Sequence, residues 1–218
     1  MTWGRYRVCF DLTAPVIVID FETTGLSSRR HQITEIGALR LLPGEANAPI
    51  FHRLIRQPRK LPASIVTLTG ITDDLLARDG VEGGDALRDL VEFIGSAPVV
   101  TYNTAFDLGF LNAACEQHSV QVPRRGGHSC ALRLARKVWP GLPSYRLPDL
   151  SARFGFGLDG THRAVGDAVR AAQVYRIASA DYHNRKISSA TRTWSEHKPD
   201  HPKPDMGQIL REMLRAPR

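Results

Sequence analysis

Residues 16–22 read Val-Ile-Val-Ile-Asp-Phe-Glu, and no other stretch of the chain limits its fold so tightly. Four consecutive β-branched residues have stiff side chains that suit a pleated strand better than a helix. An unbroken apolar run of this length, entered from Pro15, fits a buried central strand. The run ends in two carboxylates one residue apart. Side chains alternate along a strand, so Asp20 and Glu22 leave the same face while Phe21 points into the opposite layer. Two like charges held this close repel unless a cation lies between them. The alternative is a strand end entering solvent, where acids are common.

The pattern downstream alternates between strands and helices. Residues 32–42 form a second expected strand, broken at Pro43-Gly44, and 50–56 a third, ended by Pro58. Three strands so close in sequence predict an antiparallel start. Short helices are expected over 62–68, closed by Gly70, and from Thr72, which supplies its own cap. Residues 85–94 place Leu87, Leu90, Val91 and Ile94 on one helical face. A short buried strand follows at 99–102, then a helix over 106–117 with Phe106, Phe110, Leu111 and Ala114 on one stripe. Helices are also expected over 131–138, 147–154 and 164–179. No glycine-rich phosphate cradle is present. The longest apolar run, residues 14–19, is far short of the roughly 20 residues a membrane helix needs. Residues 1–11 show no signal-peptide core. The three cysteines, Cys9, Cys115 and Cys130, are widely spaced, so neither a disulfide framework nor a structural zinc site is expected. The chain reads as reduced and cytoplasmic.

Two further sites carry carboxylates at the edges of elements. Asp107 follows the strand at 99–102 and falls in the first turn of the next helix. Asp167 falls early in the helix from 164, with His162 in the loop before it. Acids are favoured in first turns by the helix dipole, so each position has an ordinary explanation. Asp20, Glu22, Asp107 and Asp167 together offer the hard oxygen donors that Mg²⁺ or Mn²⁺ prefers. Two such ions about 4 Å apart suit phosphodiester hydrolysis. A histidine titrating near neutrality can take a proton from the attacking water.

These residues also carry a family resemblance. Asp20-Phe21-Glu22-Thr23-Thr24-Gly25-Leu26 resembles the first motif of the DnaQ-like 3′–5′ exonucleases. Ile33-Thr34-Glu35-Ile36-Gly37-Ala38 resembles their second strand, and Leu68-Thr69-Gly70-Ile71-Thr72 their T-G-I loop. Tyr102-Asn103-Thr104-Ala105-Phe106-Asp107 resembles the second motif. His162-x-Ala164-x-x-Asp167 resembles the third in its histidine (DEDDh) form. The five matches come in family order, and the polymerase III epsilon subunit and exonuclease X group look most similar. The resemblance implies an α/β, ribonuclease H-like exonuclease fold with a mixed five-stranded sheet flanked by helices. It implies two Mg²⁺ or Mn²⁺ ions on Asp20, Glu22, Asp107 and Asp167, with His162 as general base. Stepwise hydrolysis from a 3′ end would release nucleoside 5′-monophosphates. Thr23, Thr24 and Leu26 would line the terminal-nucleotide pocket, and Asn103 and Phe106 would support the second motif. Two departures stand out: Tyr102 replaces the usual histidine, and Ser129-Cys130-Ala131 replaces the commoner Asp-Thr-Leu.

Charge points to the same class of substrate. Lys and Arg number 29 against 22 Asp and Glu, a net +7, which favours a polyanionic partner. Arg29, Arg30, Arg124, Arg125 and above all Arg163, next to His162, are candidates for phosphate contact. Residues 183–218 hold eight Lys/Arg against four Asp/Glu. The expected organisation is an exonuclease domain over 1–182, a polar, proline-containing linker over 183–204 and a short amphipathic helix over 205–218. That tail would dock on a polymerase or nuclease-complex partner, follow nucleic acid, or pack on its own domain. A single-stranded 3′ end of DNA is the preferred substrate expectation; RNA, or a non-catalytic scaffold role, is the alternative.

Overall fold

The β-branched run becomes β1, Val16–Thr23, and the other strands are placed around it. The computed structural model describes residues 14–42, 48–122, 126–157 and 162–187, with the backbone alone at 185–187. β2, Ile33–Leu41, pairs antiparallel with β1, and β3, Ile50–Leu54, pairs antiparallel with β2. β4, Val99–Thr101, lies parallel to β1 on its other side, and β5, His128–Cys130, lies parallel to β4. The order is β3-β2-β1-β4-β5, so β1 is the central strand, paired along its length by β2 and at Ile17 and Val18 by β4. The predicted antiparallel start is present, and its third strand ends two residues early, with Ile55 bridging to Val81. The break predicted at Pro43-Gly44 lies outside the described residues.

The alternation of β1 sorts the core into two layers. Val16 and Val18 face one layer with Leu39 and Val100. This layer is covered by α5 (Ala131–Val138), α6 (Leu147–Phe154) and α7 (Ala164–Ile187). Ile17, Ile19 and Phe21 face the other layer with Ile36 and Ala38. There α3 (Gly83–Ile94) contributes Leu87, Leu90 and Ile94, and α4 (Thr104–Gln117) contributes Phe110 and Leu111. Burial of large aliphatic side chains on both faces, at roughly 1.5–3 kcal/mol each, is the main force holding the sheet between its helices. A smaller cluster of Leu54, Leu61, Ile71 and Leu76 seats α1 (Ala63–Thr69) and α2 (Asp73–Asp79). Gly70 closes α1 in the left-handed region, φ +69°, and its N–H donates to the Val66 carbonyl at 2.9 Å. Thr72 caps α2, its hydroxyl accepting from the Leu75 N–H at 3.1 Å.

Other elements also differ from the sequence pattern, and α4 begins at Thr104, two residues early. β5 was not foreseen, because three residues are too few to show a period; β4 recruits them through parallel pairing. α3 begins at Gly83, two residues early, since tertiary contact overrides the low helix propensity of two glycines. α7 runs to Ile187, so the start of the expected linker is helical. Asp181 on that extension accepts from the Trp139 indole N–H at 2.8 Å, and Trp139 is 1% exposed, so the helix is held well past residue 179. The remainder of the tail expectation, the 188–204 linker and the 205–218 helix, lies outside the described residues. Cys115 and Cys130 are free thiols, and Cys9 also lies outside the described residues.

Candidate active site

The carboxyl end of β1 delivers Asp20 and Glu22 to the face that carries Val16 and Val18, the face under α7. The register places Asp20 opposite Gly37 and Glu22 opposite Glu35. At Glu22/Thr23 the pairing slips, which ends regular pairing at the two acids. Asp167, in the first turn of α7, meets them from above. One oxygen from each of Asp20, Glu22 and Asp167 lies within 4.8 Å of the others. Asp107, in the first turn of α4, is 3% exposed and lies outside this trio. Its carboxylate is held by the Thr101 hydroxyl and by backbone N–H groups of Asp107, Asn103 and Phe21.

The electrostatics of the cluster are those of a site awaiting positive charge. Burial pushes the Asp20 carboxyl well above the ordinary range, and Asp107, Asp167 and Glu22 push it further. Burial, then Asp167 and Glu35, raise Glu22 to about 8. Burial raises Asp107 to about 7 in spite of its hydrogen bonds. Hard oxygen donors, crowded and reluctant to ionise together, fit a divalent cation, whose charge would reverse each of these shifts. The buried guanidinium of Arg170 (1% exposed) pairs with Asp167 Oδ1 and is the fixed positive charge nearest the cluster that lowers Asp20.

His162 sits beside this cluster in a left-handed backbone, φ +58°. Its own N–H donates to Asp167 Oδ2 at 3.2 Å. Tyr102 does not enter the cluster: it is 9% exposed and its hydroxyl donates to the Tyr145 carbonyl, tying β4 to the segment before α6.

The expected substrate residues divide into three groups. Thr23 and Thr24 shape the turn after β1. The Thr23 hydroxyl donates to the Gly25 carbonyl at 2.8 Å, and Thr24 Oγ1 accepts from the Gln32 N–H at 3.1 Å and lies 3.2 Å from His31 Nδ1. A Cβ at Gly25 would come within 2.6 Å of the His31 ring, so the ring packs directly over the glycine. Leu26 then projects 87% exposed from the turn. Asn103 is exposed at the start of α4, and Phe106 is half-buried with its ring 4.9 Å from that of Phe110. Arg29 and Arg30 are exposed; Arg124 and Arg125 lie outside the described residues.

Arg163, expected to meet phosphate, has a partner within the fold. Its guanidinium is engaged by Glu35: Nε lies 3.1 Å from both carboxylate oxygens, and a terminal nitrogen lies 2.6 Å from Oε1. Glu35 also accepts from His52 Nε2 at 2.7 Å and from the Ala164 N–H at 2.9 Å. Burial alone would raise Glu35, but these donors hold it down at about 2. Facing strand positions thus carry two glutamates in opposite states: Glu35 is spoken for, and Glu22 is left available. The sequence signal for this role was faint, a lone charge among apolar strand residues two before a glycine. Arg170 was missed as well; an arginine three residues after Asp167 in an alanine-rich helix was its signal.

A mixed five-stranded sheet between helices, with an acidic cluster at the end of its central strand, is the architecture of a ribonuclease H-like nuclease. A family model described as an exonuclease (RNase T) matches residues 17–175, and the chain belongs to that family, among the DnaQ-like 3′–5′ exonucleases. It is 33% identical over 165 residues to the DNA polymerase III subunit epsilon of Aquifex aeolicus, covering 75% of this chain and 80% of that one. It is 36% identical over 151 residues to the PolC-type DNA polymerase III of Bacillus subtilis. That match covers 69% of this chain but only 10% of the much longer polymerase. Among solved structures, a zinc-bound E. coli exonuclease I–ssDNA complex superposes with a TM-score of 0.69 at 16% identity, over 80% of this chain and 43% of that one. At that identity the likeness is one of fold.

Proposed function

We propose that this protein removes nucleotides one at a time from the 3′ end of a nucleic acid, DNA in preference to RNA, releasing nucleoside 5′-monophosphates. The observation that carries the reading is the convergence of Asp20, Glu22 and Asp167 within 4.8 Å, with His162 tied to the third of them. Asp20, Glu22, Asp107 and Asp167 would hold Mg²⁺ or Mn²⁺. Bound there, the cations would acidify the attacking water and offset charge on the phosphate and the leaving oxygen. His162 would accept the proton of that water; an imidazole suits the task because its ordinary pKa lies near neutrality. Leu26 would wedge against the terminal base, with the 23–26 turn held by its own hydrogen bonds. Asn103 and Phe106 would flank the path to Asp107.

The preference for DNA is supported by the names of the relatives, a polymerase III epsilon subunit and PolC-type polymerases. The name of the epsilon subunit also supports a polymerase partner, which the tail beyond residue 187 would engage; a cytoplasmic setting is part of the proposal. The test uses 5′-labelled single-stranded DNA and RNA of one sequence with Mg²⁺ or Mn²⁺, and Asp20→Ala as control. A ladder shortening from the 3′ end, faster on DNA and absent in the variant, is expected. Faster cleavage of RNA would reassign the protein as an exoribonuclease. Cleavage of neither would return the scaffold alternative.

A further inference from the structure

Glu35 is 1% exposed, yet it is not one of the clustered acids. Its donors arrive from two directions. His52 reaches it from β3, while Arg163 and the Ala164 N–H reach it from the segment that enters α7. Gly37 leaves β2 on the same face two residues later. A Cβ there would come within 2.2–2.5 Å of the Ala164 and Val165 backbone, so α7 starts directly on the strand. β2 therefore presents an acid and a gap, side by side, to the chain just after His162. His162 itself holds φ +58°, a region that a residue with a Cβ enters only when its surroundings impose it. Among the described residues, the hydrogen bonds that brace it are its N–H on Asp167 and those of the next two residues on Glu35.

We propose that Glu35 is a positioning residue for catalysis: with Arg163 and the gap at Gly37 it clamps the entrance of α7 and holds His162 in its left-handed backbone beside the carboxylates. This rests on the reading of His162 as the base. The clamp acts on where His162 sits: Glu35 directs its hydrogen bonds to His52, Arg163 and Ala164, and its charge reaches Glu22 only through space. A buried ion pair that merely stapled the fold would change stability without selecting kcat.

The full chain with Glu35→Gln and, separately, Arg163→Gln tests it, on labelled single-stranded DNA with Mn²⁺. Each variant is expected to lose about 10- to 100-fold in kcat, the usual cost of losing an outer support of a reacting group. KM should stay at the wild-type value, and Mn²⁺ affinity read by electron paramagnetic resonance should change far less than kcat, since both charges reach Glu22 only through space. The double variant should be no slower than the worse single one, because both break one clamp. Arg163→Lys should recover part of the rate. Arg163 is 38% exposed, so its variant carries the test if Glu35→Gln does not fold. Unchanged kcat, or Mn²⁺ affinity falling in step with kcat, would overturn the clamp. Raised KM at constant kcat in Arg163→Gln would return Arg163 to phosphate contact and overturn it too. If the wild-type chain cleaves nothing, the exonuclease reading fails instead. Hydrogen exchange at the Ala164 amide then decides the clamp alone: faster exchange in Arg163→Gln supports it, and unchanged exchange sinks it.

Discussion

Asp20 and Glu22 occupy a place where their ionised forms are opposed by burial and by each other. Glu22 at about 8 and Asp107 at about 7 keep their protons in the fold at pH values where the unfolded chain has lost them. The unfolded state then binds fewer protons, so metal-free stability falls as pH rises from about 4 to about 8. Glu35, lowered to about 2, runs the other way: its contribution is complete above its unfolded value and lost only as pH falls through about 4 to about 2. Thermal melts in chelator should therefore give a lower Tm at about pH 8 than at about pH 6, and saturating Mg²⁺ should remove the difference. A flat or rising profile would mean that the acids are not coupled as the structure has them. Binding at pH 6 should also release protons, read by calorimetry in buffers of different ionisation enthalpy. Asp20→Asn should abolish turnover and weaken metal binding while leaving the metal-free Tm at or above wild type, because it removes a carboxyl whose ionised form is opposed by burial and by the neighbouring acids. His162→Ala should lower kcat by about 10² to 10⁴-fold, the range for a general base, with metal binding intact; a rate near wild type at every pH would discard His162 as the base.

At the scale of elements, the site depends on how closely α7 sits on β2. Gly37→Ala should strain that contact, because the atoms it meets are backbone and cannot rotate away. Overpacking of this kind costs about 1–3 kcal/mol, so chemical denaturation should show a lower midpoint and the rate should fall with it. An unchanged midpoint would mean that α7 can slide. Periodicity was enough to find β1 to β3 and most helices, because their apolar residues repeat over six or more positions. It missed β5, whose three residues hold their place through the β4 ladder. It also ended α7 at the last alanine-rich turn, whereas Trp139 and Asp181 hold the next turn against α5. Local pattern carries no trace of such a contact.

At the scale of the molecule, α7 sets where the folded unit can be cut. Truncation after Ile187 should preserve a folded exonuclease with wild-type turnover on free DNA. Truncation after residue 182 removes helical backbone and should lower Tm. If the tail is the polymerase contact, the longer truncation should lose retention of the polymerase polypeptide in a pull-down; unchanged retention would place that contact on the folded domain.

The central strand, the order of the elements other than β5, and the nomination of Asp20, Glu22, Asp107, His162 and Asp167 as candidates could be read in the chain itself. The reason is that strand alternation, helix first turns and motif spacing are local: Asp20 and Glu22 share a face whatever packs above them. The pairing of Arg163 with Glu35, the burial of Arg170 against Asp167 and the gap at Gly37 were not legible. Each joins residues distant in sequence or depends on the depth to which a helix settles. A buried charge takes whichever partner the packed structure brings within reach, and only the tertiary structure decided that Glu35 would be neutralised while its neighbour Glu22 was left open.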